Sequence, residues 1–368
     1  MRARYEMLGE ATSCNEKTLS LTIYYNIENS KHLPTILAGL KSILDLDVSC
    51  HEVALVDNGS SDNTLKILRD FSQKYRNSKT VHLIRIGRNL GFSRANNVAY
   101  YALRDEYGPY EYVLLVNNDA IILSEPIKIL ISILREFDGI GGVQGILINE
   151  DGIDSGPMEW DYTSFPSRPL LSWKYEKKLV RYPQVTPFLD GAVSIFKARV
   201  LDEVGFFDPL SFMYGDDYVL GAKIWKGGYA LLFVPVIVGY HKRSATLSRY
   251  SNLFAYWSSY YHSCAAIRYS EGAFRIWNCM GMLWTIAKSL SAYFLEMNGR
   301  HLDWARGRMA SLIECPELSP KGFPQWPVLI DDNLVSSIIG ELTSIVGINE
   351  ASRRKLDKLL RTLRERLG

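Results

Sequence analysis

The feature that most constrains this fold is the run Tyr112-Val113-Leu114-Leu115-Val116, which ends abruptly in Asn117-Asn118-Asp119. Successive strand-favouring apolar residues leave no polar face. A strand of that kind is covered on both sides, as in the parallel sheet of an α/β domain. Ligands of such sheets gather beyond the carboxyl ends of the strands. Asp119 is therefore expected where an anionic ligand or its metal ion would lie. Asn and Asp also make Asx turns and caps, so the motif alone leaves both readings open.

The neighbouring sequence repeats the pattern. Leu21–Ile27 is predicted as a strand rich in β-branched and aromatic residues, followed by a helix over 34–46 with Pro34 in its first turn. Glu52–Asp57 reads as a second buried strand that ends in a carboxylate, with a helix after it capped by Ser61 or Asp62. Val81–Ile86 is a third strand, and helices are expected over 94–105 and 124–137. Gly139–Gly145 fails as a dinucleotide fingerprint because Gln144 holds the last glycine position and a helix precedes it; it reads as a helix stop before another strand. This alternation over roughly the first 145 residues argues for a doubly wound α/β sheet.

Farther on the pattern loosens. Residues 149–187 are rich in Pro, Ser, Trp and Tyr without a period, as a binding loop would be. A helix is expected around 197–204, another opens at Asp216-Asp217, and a last strand over 230–240 leads to His241. After residue 250 aromatic residues recur at helical spacing (Trp257, Tyr260, Tyr261). The tail from 352 to 367 sets Leu356, Leu359, Leu360, Leu363 and Leu367 against a basic face.

Composition removes some alternatives. A net charge of +2 gives no reason to expect nucleic acid. Five scattered cysteines without a CxxC pair suggest neither a disulfide framework nor a zinc site, and a reducing, cytosolic compartment is expected. Residues 1–20 lack the apolar core of a secretory leader, and the tract from Cys279 to Leu295 is interrupted by Lys288, which argues against a membrane span.

The candidate chemistry sits in three carboxylate-bearing loops after apolar segments (Asp57, Asp119, Asp216/Asp217) and in His241. Oxygen ligands with one imidazole suit Mn²⁺ or Mg²⁺, and such an ion stabilises a diphosphate as a bond to it breaks. Asp217 has the chemistry of a general base for a hydroxyl. Acidic residues at a helix start also serve as plain helix stabilisers.

The blocks VDNGSSDNT (56–64), NLGFSRANN (89–97), LLVNNDA (114–120), DGAVSIFKARVLDEVGFFDP (190–209) and FMYGDDYVLGAKIWKGGY (212–229), with the strand ending in His241, resemble glycosyltransferase family 2 and most of all its rhamnosyltransferase-like branch. The resemblance implies the GT-A fold, a mixed sheet flanked by helices, over 18–245. A nucleotide half would span about 18–145 and an acceptor half 146–245, with a helical C-terminal extension over 246–368.

Carried across by position, the resemblance makes Asp119 and His241 the metal ligands, with Asn117 at the first place of the N-x-D motif. Asp217 is the catalytic base, and Asp216 stands where relatives have Glu. Donor and acceptor contacts are implied for Tyr25, Asn26, Asp57, Asn58, Asn89, Gly91, Asn97, Asn117, Asn118, Asp190 and Gly191. Val219 stands where many relatives have another acid. The implied reaction is inverting transfer from a UDP-, dTDP- or GDP-linked sugar, aided by Mn²⁺ or Mg²⁺, to a glycan or lipid-linked acceptor.

The aromatic and basic C-terminal region fits either attachment to the cytoplasmic face of a membrane or packing, including a homo-oligomer interface. Two rival readings use the same residues. A sugar nucleotidyltransferase would show a glycine-rich basic loop after the first strand, which Asn26–Ser30 is not. A nucleotide-sugar-binding scaffold draws support from Asn117 and Val219, against retention of Asp119, Asp217 and His241.

Overall fold

The computed structural model describes residues 4–9, 14, 16–150, 152–157, 183–209, 211–242, 255–261, 263–264 and 272–314. The expected basic helix at 352–367, and most of the expected binding loop over 149–187, lie outside the described residues.

The described strands form one mixed sheet, and its centre follows the apolar runs. Strands β1 (Arg4–Leu8), β2 (Thr18–Tyr24), β3 (His51–Asp57), β4 (Thr80–Arg85) and β5 (Tyr112–Val116) stand in the order β1-β4-β3-β2-β5, with β2 to β5 mutually parallel and β1 antiparallel at the edge. Every residue of β3 and β5 is buried, as their lack of a polar face requires. The crossover helices are α1 (Leu33–Leu44), with Pro34 in its first turn, α2 (Thr64–Ser72) and α3 (Gly91–Tyr107).

Beyond β5 the direction changes. After β6 (Ala120–Ile122) and α4 (Ser124–Glu136) come β7 (Ile140–Asn149), β8 (Gly152–Ser155), β9 (Gln184–Val185), β10 (Val193–Lys197), α5 (Ala198–Val204), α6 (Asp216–Lys226) and β11 (Ala230–His241). Strand β10 lies antiparallel between β5 and β7, β11 runs parallel to β7, and β6 closes the row against β11. The glycine-rich stretch before Ile146 is this central β7. Added Cβ atoms at Gly142 and Gly145 would stand 2.6 Å from Phe196 and 2.3 Å from Val238, so bare backbone lets the neighbouring strands close in.

The edges of the sheet depart from the sequence pattern. The sequence pattern misses strand β1, which pairs with β4, and the parallel match of Thr18 with His51 sets the segments before β2 and β3 side by side, where Cys14 and Cys50 form a disulfide with Cα atoms 6.2 Å apart. The spacing of cysteines gave no sign of this pair, because their proximity is set by strand pairing. Cys264 and Cys279 are free thiols.

C-terminal to the sheet, residues 255–261 are helical, followed by α7 (Gly272–Glu296) and α8 (Gly299–Glu314). Gly307 of α8 lets the 255–261 helix approach so closely that a Cβ there would stand 2.0 Å from Ser259 Oγ. The Tyr261 hydroxyl accepts a hydrogen bond from Phe212 N (3.1 Å), and Trp257 packs on the Phe212 ring. The helical region is thereby fastened to the loop that leads into α6. On α7, Met282 and Ile286 are buried, whereas Ile276, Met280, Leu283 and Trp284 are 59–72% exposed. No described helix is long and apolar enough to cross a membrane.

Gly91 starts α3 with φ +78°, and a Cβ on it would lie 2.0 Å from the Phe212 carbonyl oxygen, which accepts the Phe92 amide at 2.8 Å. Gly228 also has a left-handed φ, +84°, but faces open space. Gly228→Ala is expected to cost about 1–2 kcal/mol of left-handed strain, and Gly91→Ala clearly more because it adds overlap with Phe212. Urea unfolding of both variants checks this; equal losses would contradict the close approach.

Candidate active site

The carboxyl ends of β2, β3 and β5 open on one edge, and the registers state why. Tyr24 pairs with Asp57, and Asn118 Nδ2 donates to the Ile23 carbonyl at 3.1 Å. Because β10 is antiparallel to β5, Val193 stands opposite Val116 and the Asp190-Gly191 turn reaches the same edge, where Asn117 N donates to Ala192 O at 2.8 Å. Pairing of β11 with β6 sets His241 opposite Ala120, one residue past Asp119.

The result is a buried triad of charges. His241 Nε2 lies 3.1 Å from Asp119 Oδ1, and Nδ1 lies 2.8 Å from Asp154 Oδ2. Burial pulls the imidazole down, but the hydrogen bonds to Asp119 and Asp154 and the charges of Asp119 and Asp190 outweigh it and push it up to about 10. Ligands at right angles on an octahedral ion at ~2.1 Å stand about 3 Å apart, which matches Asp119 Oδ1 and His241 Nε2. A hard divalent cation fits this oxygen–imidazole pair. Among the described residues no group of three His, Cys, Asp or Glu side chains stands ready to hold an ion alone.

Asp216 and Asp217 form the first turn of α6, after Tyr214 and Gly215, both left-handed with φ +64° and +87°. The two carboxylates differ. Asp216 is buried and accepts from Ser93 Oγ at 2.8 Å; burial raises it, while Ser93 and the helix amides hold the rise down. Asp217 is half-buried, and burial with the charges of Asp216 and Asp190 raises it well above an ordinary carboxylate, against a hydrogen bond from the Gly191 backbone. A Cβ on Gly191 would come within 2.8 Å of Asp217 Oδ1, so glycine leaves that carboxylate its room.

Other expected site residues hold the loops. Asn26 accepts the Ser61 amide (2.9 Å) and donates its own to Ser60 Oγ (2.9 Å), tying the β2–α1 loop to the β3–α2 loop. Asp57 is buried and accepts from Ser60 N at 3.0 Å. Asn58 donates to Asn89 Oδ1 (3.0 Å) and the Gly91 carbonyl (3.1 Å), and accepts from Leu90 N (3.0 Å). Asn97 clasps both backbone groups of Phe207, donating at 2.8 Å and accepting at 3.0 Å. Tyr25 is half-buried at the end of β2.

Three residues went unforeseen. Asp154 holds His241. Gln144 Oε1 accepts the Asp190 amide at 2.5 Å while its Nε2 donates to the Gly156 carbonyl at 3.2 Å. Tyr214 feels burial and the charges of Asp216 and Asp119, which push it up to about 12. Only Tyr214 had a signal, its place inside FMYGDD.

The family model for glycosyl transferase family 2 matches residues 22–205, half of the chain, and the protein belongs to that family. The matched span includes Asp57, Asp119, Asp154 and Asp190, and stops before Asp217 and His241.

Among curated proteins, the N-acetylglucosaminyl-diphospho-decaprenol L-rhamnosyltransferase of Mycobacterium tuberculosis is 26% identical over 303 residues, covering 77% of this chain and 94% of the relative. The poly-beta-1,6-N-acetyl-D-glucosamine synthase of Staphylococcus epidermidis is 23% identical over 203 residues, covering 55% of this chain and 45% of that protein. The S. aureus TarS 1-349 structure in complex with UDP-GlcNAc shares the fold, with TM-score 0.53, 17% identity, and coverage of 83% and 82% of the two chains. The chain is thus a rhamnosyltransferase-like glycosyltransferase of GT-A fold that transfers sugar from a nucleotide sugar.

Asn97→Ala should lower stability by about 1–3 kcal/mol, because it strips both partners from the Phe207 backbone, and leave the KM for the donor unchanged. A large rise in KM at unchanged stability would show instead that Asn97 touches donor.

Proposed function

We propose that the protein catalyses inverting transfer of a hexosyl group, of the rhamnosyl type, from a nucleoside diphosphate to a lipid-linked glycan, with Asp217 as general base. The observation that carries this reading is the meeting, at one sheet edge, of a cation-compatible Asp119–His241 pair and a half-buried Asp217 whose proton affinity is raised. The rhamnosyl and lipid-linked parts draw on the mycobacterial relative, whose name states an L-rhamnosyl group and a diphospho-decaprenol carrier.

In this mechanism Asp217 takes the proton of an acceptor hydroxyl while that oxygen attacks the anomeric carbon from the face opposite the diphosphate. The carbon–oxygen bond to the diphosphate breaks, and its electron pair leaves with the nucleotide. Asp119 and His241 would hold a Mn²⁺ or Mg²⁺ ion, which when bound would supply positive charge to the leaving diphosphate. Gly191 keeps space beside Asp217, and Ser93 holds Asp216 in the first turn of α6. The raised affinity of Asp217 suits a base, since a carboxylate near its ordinary value is a weak proton acceptor at neutral pH.

Asp217→Asn is expected to lower kcat by about 10²–10⁴-fold with donor affinity by calorimetry preserved. A parallel loss of donor affinity would contradict the role. The base works only when deprotonated, so kcat should fall as pH drops through a value above the ordinary carboxylate range. Asp216→Asn removes one charge that raises Asp217, and the acid limb of the pH–rate profile should move to lower pH. A limb that stays in place, or moves up, would contradict the coupling.

We also propose that the exposed apolar stripe of α7 lies on a membrane surface that carries the acceptor. Ile276, Met280, Leu283 and Trp284 follow helical spacing, and an amphipathic helix of this kind sits in the plane of the interface. Wild-type protein should sediment with anionic phospholipid vesicles at low salt, and Leu283→Glu with Trp284→Glu should remain in the supernatant. Wild type that stays in solution would contradict the proposal.

A further inference from the structure

Asp154 sits outside every sequence motif, in the short edge strand β8. Pairing of β8 with β7 (Leu147 opposite Ser155), and of β7 with β11 (Gly239 opposite Leu147), brings it beside His241 across two strands. The residue is 7% exposed. Its Oδ1 accepts from Asn149 Nδ2 at 3.0 Å and its Oδ2 faces His241 Nδ1 at 2.8 Å. Burial of a carboxylate is unfavourable unless it is paired and hydrogen-bonded, and here both oxygens are engaged. Asn149 is on β7 and His241 ends β11, so the carboxylate is fixed by two neighbours of its own sheet.

The imidazole has two nitrogens, and the partner of one decides what the other does. A proton kept on Nδ1 by Asp154 makes Nε2, the nitrogen that faces Asp119, the one whose lone pair a cation would take in place of a proton. A carboxylate in this place also raises the donor strength of the other nitrogen. Without it, the ring is free to take the other tautomer and to rotate. We propose that Asp154 is a positioning residue that fixes the tautomer and orientation of His241, so that Nε2 is ready for a divalent cation. This inference rests on the reading of Asp119 and His241 as the ion's protein ligands.

The test uses the full chain and Mn²⁺ alone, with binding followed by the electron paramagnetic resonance of free Mn²⁺. Asp154→Ala should weaken Mn²⁺ binding by about 10–100-fold, the range for partners behind a ligand. Asp154→Asn keeps an oxygen acceptor for Nδ1–H without the charge, and should recover part of that loss. In parallel, ¹⁵N NMR of the metal-free protein above the His241 titration should find Nδ1 protonated in wild type and Asp154→Asn, and a mixture of tautomers in Asp154→Ala. Thermal midpoints in EDTA separate this effect from general unfolding.

Unchanged Mn²⁺ affinity in Asp154→Ala, beside a wild type that binds, overturns the inference alone. Equal losses in Asp154→Asn and Asp154→Ala with no change of tautomer overturn it too, and make Asp154 a direct ligand. A wild type that binds no Mn²⁺ overturns the cation reading, and this inference with it.

Discussion

The site depends on one strand pairing. Strand β6 follows Asp119 directly, and its antiparallel match with the end of β11 brings His241 to Asp119 from 122 positions away. Neither side chain alone defines a place for a cation. The pairing also sets the α6 side of the site, because β11 follows α6 after only a short turn. Slipping β6 by one residue on β11 would turn its side chains to the other face and take Asp119 out of register with His241. This small edge strand therefore governs the chemistry more than the long central ones.

Around that pairing, the protein keeps unlike charges close and like charges apart in role. His241 is held between two carboxylates, with Asp119 at Nε2 and Asp154 at Nδ1. Asp216 and Asp217 are neighbours in sequence, yet Ser93 and the helix amides stabilise the charge of the first, while the second receives little help and is raised further. One residue of separation thus divides a carboxylate held by hydrogen bonds from one whose proton affinity is raised further, the property the proposed base needs. The left-handed turn at Tyr214 and Gly215 permits it, and Phe212, pinned by Phe92 and Tyr261, anchors that turn to the sheet half and the helical half at once.

The parts legible in the sequence are those whose signal is local. β3 and β5 announce themselves as apolar runs ending in Asp57 and Asn117, and α1 by Pro34. Asp119, Asp217 and His241 stand out as candidates because each closes or opens such an element. The reversal of β10, the edge strands β1, β6 and β8, and the Cys14–Cys50 bond were not, because they are properties of pairing between distant segments. Asp154 lies in a stretch without periodicity, and only the β7–β8 register gives it a partner. Several Asn residues read as ligand contacts do a second thing that sequence leaves unseen: Asn26, Asn58 and Asn97 bind backbone in neighbouring loops. Amides serve both purposes with the same groups, so residue type alone does not separate them.

Cation-assisted transfer from a nucleotide sugar is tested by nucleoside diphosphate release from a panel of UDP-, dTDP- and GDP-sugars. The reaction would contain extracted polyprenyl-linked glycan as acceptor and either Mn²⁺, Mg²⁺ or EDTA. The expected result is release from one donor that stops in EDTA, returns with added Mn²⁺ or Mg²⁺, and accompanies a glycosylated acceptor of inverted anomeric configuration. Release undiminished by EDTA, or a product that retains the donor's configuration, would contradict it.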